Sequence, residues 1–393
     1  MSILIKNVAI FDGTKRLPER YHLLVEGRVI SKISNSPLPE SGHQKVIDGT
    51  GLSLLPGLID LHVHLTWNGG VDPATDIRHE TFAEHLMVTV GSAMQYLPKG
   101  VTSVRDLGSP EDCCLIVAEA INAGKFQGPR IYGSGQSIIM TGGHDPFHGI
   151  MADGPYEVLK AVRTQVAKQA RVIKISATGG VYGREVGEGV DDVELRQEEV
   201  DMIIDEAHRR NVPVTAHAIG EAGVRGCLKA GIDCIEHGHC ITEDMAEEMA
   251  AKKIAYVPTF YIYQHLSNSE DIPAYAREKS KEIIGKHRDA LRWTYEKGVT
   301  IGTGSDAGSC FSPHPSLLEE IKALSEGGLK KEDVLKAATF DAAKILGEAH
   351  HLGAIKEGFL ADLVLVEGDP FTDWDVLGSP CVVVKDGQVV FEK

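Results

Sequence analysis

Apolar and polar positions alternate at both ends of the chain and follow a different rhythm in between. At the start, "ILIKNVAIFDG" alternates residue by residue, and "HLLVEGRVISKIS" alternates on both sides of Glu26-Gly27. Alternation with a period of two is the pattern of a strand with one buried face, and the Glu-Gly step marks a hairpin turn. The end of the chain reads the same way, with "ADLVLVEGD" and then "CVVVKDGQVVFEK" turning at Asp386-Gly387. Each end alone is too short for a stable sheet, so the two predict one small β-sandwich domain built from residues 1–56 and 351–393.

Between them, short apolar runs alternate with segments of helical period. The runs are "LLPGLIDLHVH", "VTSVRD", "RIYGSG", "RVIKISA", "VPVTAHA", "DCIEHG", "IAYVPT" and "VTIGTGSD". Helical segments include 79–97, 155–169, 196–210 and 315–326. Eight strands alternating with helices predict an α/β fold, a parallel (β/α)8 TIM barrel over residues 57–350. A doubly wound open sheet is the other reading of such a pattern. It needs a Gly-rich phosphate loop after a first strand, and none is present.

In a barrel of this kind the chemistry sits at the C-terminal ends of the strands. Here those ends are polar. Strand one ends in His62 and His64, which share a face because they are two residues apart. Strand four carries Lys174, strand five ends in His217, strand six in His237 and strand eight in Asp306. Taken singly, each has an ordinary explanation: a hydrogen-bonded rim histidine, a snorkelling lysine, a helix-capping aspartate. Taken together they predict a cation site. Imidazole and carboxylate suit zinc, with manganese, cobalt or iron also compatible. His239 competes with His237, but His237 directly follows the apolar "CIE" run. A lysine among divalent cations must lose its proton, and a neutral amine can add carbon dioxide to become a carbamate that bridges two metals. His144 and His148, in "MTGGHDPFHG", fall in a loop and read as substrate contacts.

Composition narrows the setting. The chain has 393 residues, 42% of them hydrophobic, and a formal charge of -16. That charge argues against a nucleic-acid partner and against an anionic membrane surface. The seven cysteines form no CxxC pair and no even framework, which fits a reducing cytoplasm. The opening "MSILIKNVAIFDG" has no long apolar core of a signal peptide, so a cytoplasmic location is expected.

On these residues the chain resembles the amidohydrolase superfamily, in particular its binuclear branch with a carboxylated lysine. The resemblance rests on "PGLIDLHVH", Lys174, His217, His237 and Asp306, and on the two terminal β segments. "GVTSVRDLG", "VIKISATGG", "AHAIGEAGVRGCLKAGIDCIEHG", "GTGSDAG" and "TGGH" are similar to a subgroup of Xaa-Pro dipeptidases, aryldipeptidases and ochratoxin-hydrolysing amidases. The resemblance implies a hydrolase that cleaves an amide of a dipeptide or N-acyl amino acid by attack of a metal-bridging hydroxide. It implies two divalent ions, zinc in first place: one on His62, His64 and Asp306, the other on His217 and His237, bridged by carboxylated Lys174. Asp306 would double as acid and base, and His144 would assist the oxyanion. Tyr182, Arg184 and Tyr261 are expected substrate contacts, in loops 178–190 and 259–266 that depart from the family pattern. The expected partner is a small molecule, and the assembly a homo-oligomer. Alternatives in the same superfamily are a phosphotriester or lactone hydrolase and a deaminase. The deaminase pattern places a glutamate three residues after the strand-five histidine, where this chain has Gly220, with Glu221 one residue too far.

Overall fold

The computed structural model describes residues 2–182 and 187–393. Eight parallel segments close a barrel: Leu58–Val63, Val101–Asp106, Arg130–Gly133, Ile173–Ser176, Val214–Ala218, Cys234–His237, Ala255–Val257 and the extended stretch 301–307. Ladders join neighbours around the wall. The eighth segment is held by single bridges, Tyr256 to Ile301 on one side and Ala307 to Val63 on the other. The third strand is broken. Its first piece pairs with strand two, while Ser137–Ile139 pairs with strand four. Strands one and two are buried along their whole length, as a sheet covered on both faces requires.

The helices pack outside. Phe82–Met94 starts at Thr81, whose side chain accepts from the Glu84 N–H while the Glu84 carboxylate accepts from the Thr81 N–H, a reciprocal cap that fixes where the helix begins. Gln197–Arg209 buries Val200, Ile203, Ile204 and Ala207, the three-and-four spacing of one helical face. Burying each isoleucine contributes about 1.5–3 kcal/mol.

The terminal strands form a separate mixed sheet of eight strands. Leu363–Glu367 pairs antiparallel with Leu52–Pro56, with Val364 opposite Leu55, so the end of the chain completes a sheet begun by its start. Ile3, Ile5, Leu23, Val25, Leu54, Leu363, Leu365 and Val384 form its own core. The two hairpins expected from the sequence meet across it. Arg28 Nη2 lies 2.6 Å from Asp386 Oδ1. Gly387 has φ +72°, and a Cβ there would stand 1.9 Å from the Gly27 carbonyl oxygen, so the crossing demands glycine. Arg130 ties the sheet to barrel strand three by donating to Asp362 at 2.8 Å and Asp386 at 2.9 Å.

Candidate metal centre and active site

His62, His64, Lys174, His217, His237 and Asp306 are all buried and all line one cavity at the C-terminal mouth of the barrel. Asp306 Oδ1 is 3.6 Å from the Nε2 atoms of both His62 and His64. Lys174 Nζ is 3.5 Å from His62 Nε2. The His237 ring lies 5.0 Å from that of His62 and 4.6 Å from that of His217.

Each histidine has one ring nitrogen tied down. His62 Nδ1 donates to Glu236 Oε2 at 2.9 Å, and His64 Nδ1 to the Gly108 carbonyl at 3.2 Å. His217 Nε2 donates to the Gly179 carbonyl at 3.2 Å. Thr259 gives its hydroxyl proton to the Pro258 carbonyl at 2.7 Å, so it accepts from His237 Nδ1, also at 2.7 Å. A ring nitrogen that donates outward leaves the other one as a bare lone pair. Burial pushes all four imidazoles toward the neutral form. Burial also pushes the Lys174 ammonium down, against the pull of Glu236 and Asp306. Four such nitrogens, a carboxylate oxygen and an amine whose charged form burial disfavours fit divalent cations, and the outward anchors are those that orient metal-binding histidines.

The backbone is bent to achieve this. His237, Thr259 and Asp306 have φ of +64°, +47° and +54°. Each is a left-handed non-glycine residue, at an expected cost of about 1–3 kcal/mol. In an extended strand Glu236 and His237 would point to opposite faces. The left-handed turn at His237 lets both reach the barrel interior.

Beneath the histidines lies a layer that the sequence reading did not contain. Glu236 receives Arg105 Nη2 at 2.5 Å, and Thr215 donates to the same Oε1. Burial alone would raise the Glu236 carboxyl, but Arg105 and His62 hold it down at about 2. Arg105 Nε donates to the Leu61 carbonyl at 2.7 Å. Asp60 accepts from the Ser305 N–H at 2.9 Å and hydroxyl at 2.6 Å, which pins strand one to the segment carrying Asp306. Asp106 accepts from the Leu65 N–H at 2.9 Å. Burial lifts both carboxyls to about 7.

Over the cavity stands His144. Its Nδ1 is 2.5 Å from Glu188 Oε1 and its Nε2 is 2.9 Å from Asp145 Oδ2. Burial opposes the charge on His144, yet Asp145 and Glu188 outweigh it and raise the imidazole to about 10. Both ring nitrogens are therefore engaged by carboxylates. His148 stacks on His64, the rings 4.9 Å apart and 5° from parallel. Tyr182 lines the cavity and donates its hydroxyl to Asp72 at 2.7 Å. Arg184 lies outside the described residues.

The stretch expected as loop 259–266 is instead the helix Phe260–Asn268. It sends Ile262, Tyr263 and Leu266 to the cavity. Tyr261 is not among the cavity residues and stacks on His265, ring to ring at 5.6 Å. Helical spacing puts 262, 263 and 266 on one side and 261 and 265 on another. His239 packs away from the mouth, 3.8 Å ring to ring from His287. Glu221 is exposed at the start of helix Glu221–Ala230 and pairs with Arg225.

Fold and site define a barrel hydrolase with a His-His-Asp group suited to a metal ion. Residues 53–390 match the Amidohydrolase family, and the chain belongs to that family. It is 33% identical over 363 residues to ochratoxinase of Aspergillus niger, covering 84% of this chain and 73% of that protein. The structure of a Xaa-Pro dipeptidase with bound methionine in the active site superposes with a TM-score of 0.90 at 31% identity, covering 100% of each chain. A prolidase complexed with N-methylphosphonate-L-proline superposes at 0.91 with 26% identity, again over 100% of each chain.

Proposed function

We propose that this protein hydrolyses the amide bond of a dipeptide or N-acyl amino acid at a centre of two divalent ions, zinc in first place. His62, His64 and Asp306 would hold one ion and His217 and His237 the other, with Lys174 between them as its carbamate. The observation that carries this reading is the anchoring of the four histidines, each of which keeps one nitrogen for a common centre that also takes Lys174 and Asp306. When bound, such a pair of ions supplies a water of lowered pKa and a Lewis acid for the carbonyl.

The residues of the chain do the rest. Asp306 takes the proton released as water attacks the scissile carbonyl carbon, and delivers it to the leaving nitrogen. The His144 imidazolium offers positive charge to the developing oxyanion, exchanging its Asp145 contact to do so. Val181, Ile262 and Leu266 form an apolar wall for a substrate side chain and exclude water. The amide reading is supported by relatives whose described ligands are an amino acid and a phosphonate of proline. Glu221, exposed and paired with Arg225, offers nothing to a deaminase. All seven cysteines are free, in keeping with a reducing cytoplasm.

The deciding experiment is a screen of dipeptides and N-acyl amino acids against zinc-loaded protein, with bound metal counted. Amide cleavage with about two ions per chain, and no turnover of lactones or phosphotriesters, is the expected result. Turnover of esters or lactones alone overturns it.

A further inference from the structure

Asp145 follows His144 in the loop above the centre, and its backbone is left-handed, with φ +52°. One carboxylate oxygen, Oδ2, is 2.9 Å from His144 Nε2 and 3.8 Å from His148 Nε2. The other, Oδ1, is buried and has no hydrogen-bond donor among the described residues. Asp145 lines the same cavity as the six candidate ligands, and the His144 ring is 4.2 Å from the His217 ring. A buried carboxylate oxygen without a donor is costly and rare. Held at the rim of a substrate cavity by a strained backbone, it is poised to accept from a molecule that enters.

We propose that Asp145 receives the free α-ammonium of the acyl-side residue, so that the substrates are dipeptides with an unblocked amino end rather than N-acyl amino acids. This rests on the amide-hydrolase reading above and narrows it. Charge assigns the side. A dipeptide carries its carboxylate on the leaving residue, which Asp145 repels, and its ammonium on the acyl residue, which Asp145 attracts. Reach assigns the group. The α-ammonium is one carbon from the scissile carbonyl, and the Asp145 carboxylate is 2.9 Å from the His144 nitrogen that would face the oxyanion. The carboxylate is ionised for this role: burial would raise it, but the charge of His144 and contact with His148 lower it. Acetylating the amine removes the charge and two of its three N–H donors, leaving a single neutral N–H for Oδ1.

The test compares one dipeptide with its N-acetyl derivative on the zinc-loaded enzyme and on Asp145→Asn. Asparagine tolerates the left-handed backbone and retains an oxygen for His144. The wild type should prefer the free dipeptide by tenfold or more in kcat/KM. In D145N that preference should collapse, with kcat/KM for the dipeptide falling about tenfold or more beyond any loss on the N-acetyl derivative, and zinc content unchanged. Equal use of the two substrates by the wild type overturns the inference and leaves the amide reading standing. An equal loss on both in D145N also overturns it, making Asp145 a support of His144. Cleavage of neither by the wild type overturns the amide reading and this inference with it.

Discussion

Glu236 and His62 meet through a 2.9 Å bond between Oε2 and Nδ1, and Glu236 is itself held from below by Arg105 at 2.5 Å. A buried guanidinium thus fixes a carboxylate, and the carboxylate fixes which nitrogen His62 turns to the centre. Glu236→Gln keeps the shape and removes the charge. Breaking a buried pair from one side costs about 3–5 kcal/mol, and losing a histidine's outer partner lowers metal affinity about 10–100-fold. Thermal unfolding and zinc titration of E236Q should show both effects. Unchanged zinc affinity would remove Glu236 from the support of the site.

Lys174 stands 3.5 Å from His62 Nε2 with its ammonium pushed down by burial. If it bridges two ions as a carbamate, Lys174→Ala should lose turnover and bind less than two ions per chain. Short carboxylic acids supplied in solution should restore part of both, because they replace the bridging oxygens. Full activity in K174A would refute the bridge.

Gly180 leaves room for the ring above the centre. A Cβ there would stand 2.1 Å from His144 Cε1, and the ring cannot swing aside freely because Asp145 and Glu188 hold both nitrogens. Glu188 Oε1 also accepts from the Gly180 N–H at 2.9 Å. Gly180→Ala should therefore displace His144 while leaving the anchors of three ligand histidines, at Glu236, Gly108 and Thr259, untouched; the fourth, the Gly179 carbonyl that holds His217, is the preceding residue. The expected result is a fall in kcat/KM of about tenfold or more with zinc still bound by His62 and His64. Normal kcat/KM would mean that the position of His144 does not matter to turnover.

Glu320 links stability to pH. It is fully buried and accepts from the Phe260 N–H at 2.9 Å and the Tyr261 N–H at 2.7 Å. Burial raises its carboxyl from an ordinary 4.5 to about 8, although those two bonds pull the other way. Between these values the folded protein holds a proton that the unfolded chain has released. Its contribution is therefore full below pH 4.5 and drains away as pH climbs toward 8. Glu320→Gln cannot titrate and offers one oxygen to two donors. The variant should melt below the wild type at pH 5, and the gap should narrow steadily up to pH 8. A gap that widens with pH would show that the carboxyl is ionised in the folded state.

What the sequence revealed and what it hid follow from the same geometry. His62, His64, His217, His237 and Asp306 were legible because each lies at the end of an apolar run, and Lys174 because it is a lone cation within one; a barrel gathers strand ends at one rim. Glu236 and Arg105 were not. They sit inside apolar runs, and strand alternation assigns Glu236 the face opposite His237. Only the left-handed turn at His237, φ +64°, brings both inward, and no residue type announces it. Thr259 was hidden for a like reason, since its φ of +47° is what aims its hydroxyl at His237.

Tyr261 and Tyr263 provide the last test, because the period of one short segment decides between them. "FYIYQHL" carries rings at Phe260, Tyr261 and Tyr263 with no clean alternation, so composition alone cannot say which ring faces the substrate. As helix Phe260–Asn268 it turns Tyr263 to the cavity and Tyr261 onto His265. Tyr263 also packs edge-on against His237, 5.4 Å ring to ring, and so touches both the cavity and a candidate ligand. Tyr263→Ala should cost about tenfold or more in kcat/KM, by opening a void of aromatic size beside the centre. Tyr261→Ala, removing a half-buried ring outside the cavity, should leave kcat/KM within about threefold and lower the melting temperature by a few degrees. Steady-state kinetics of the two variants on one dipeptide would separate them, and the opposite order of effects would mean that the segment does not present a helical face to the substrate.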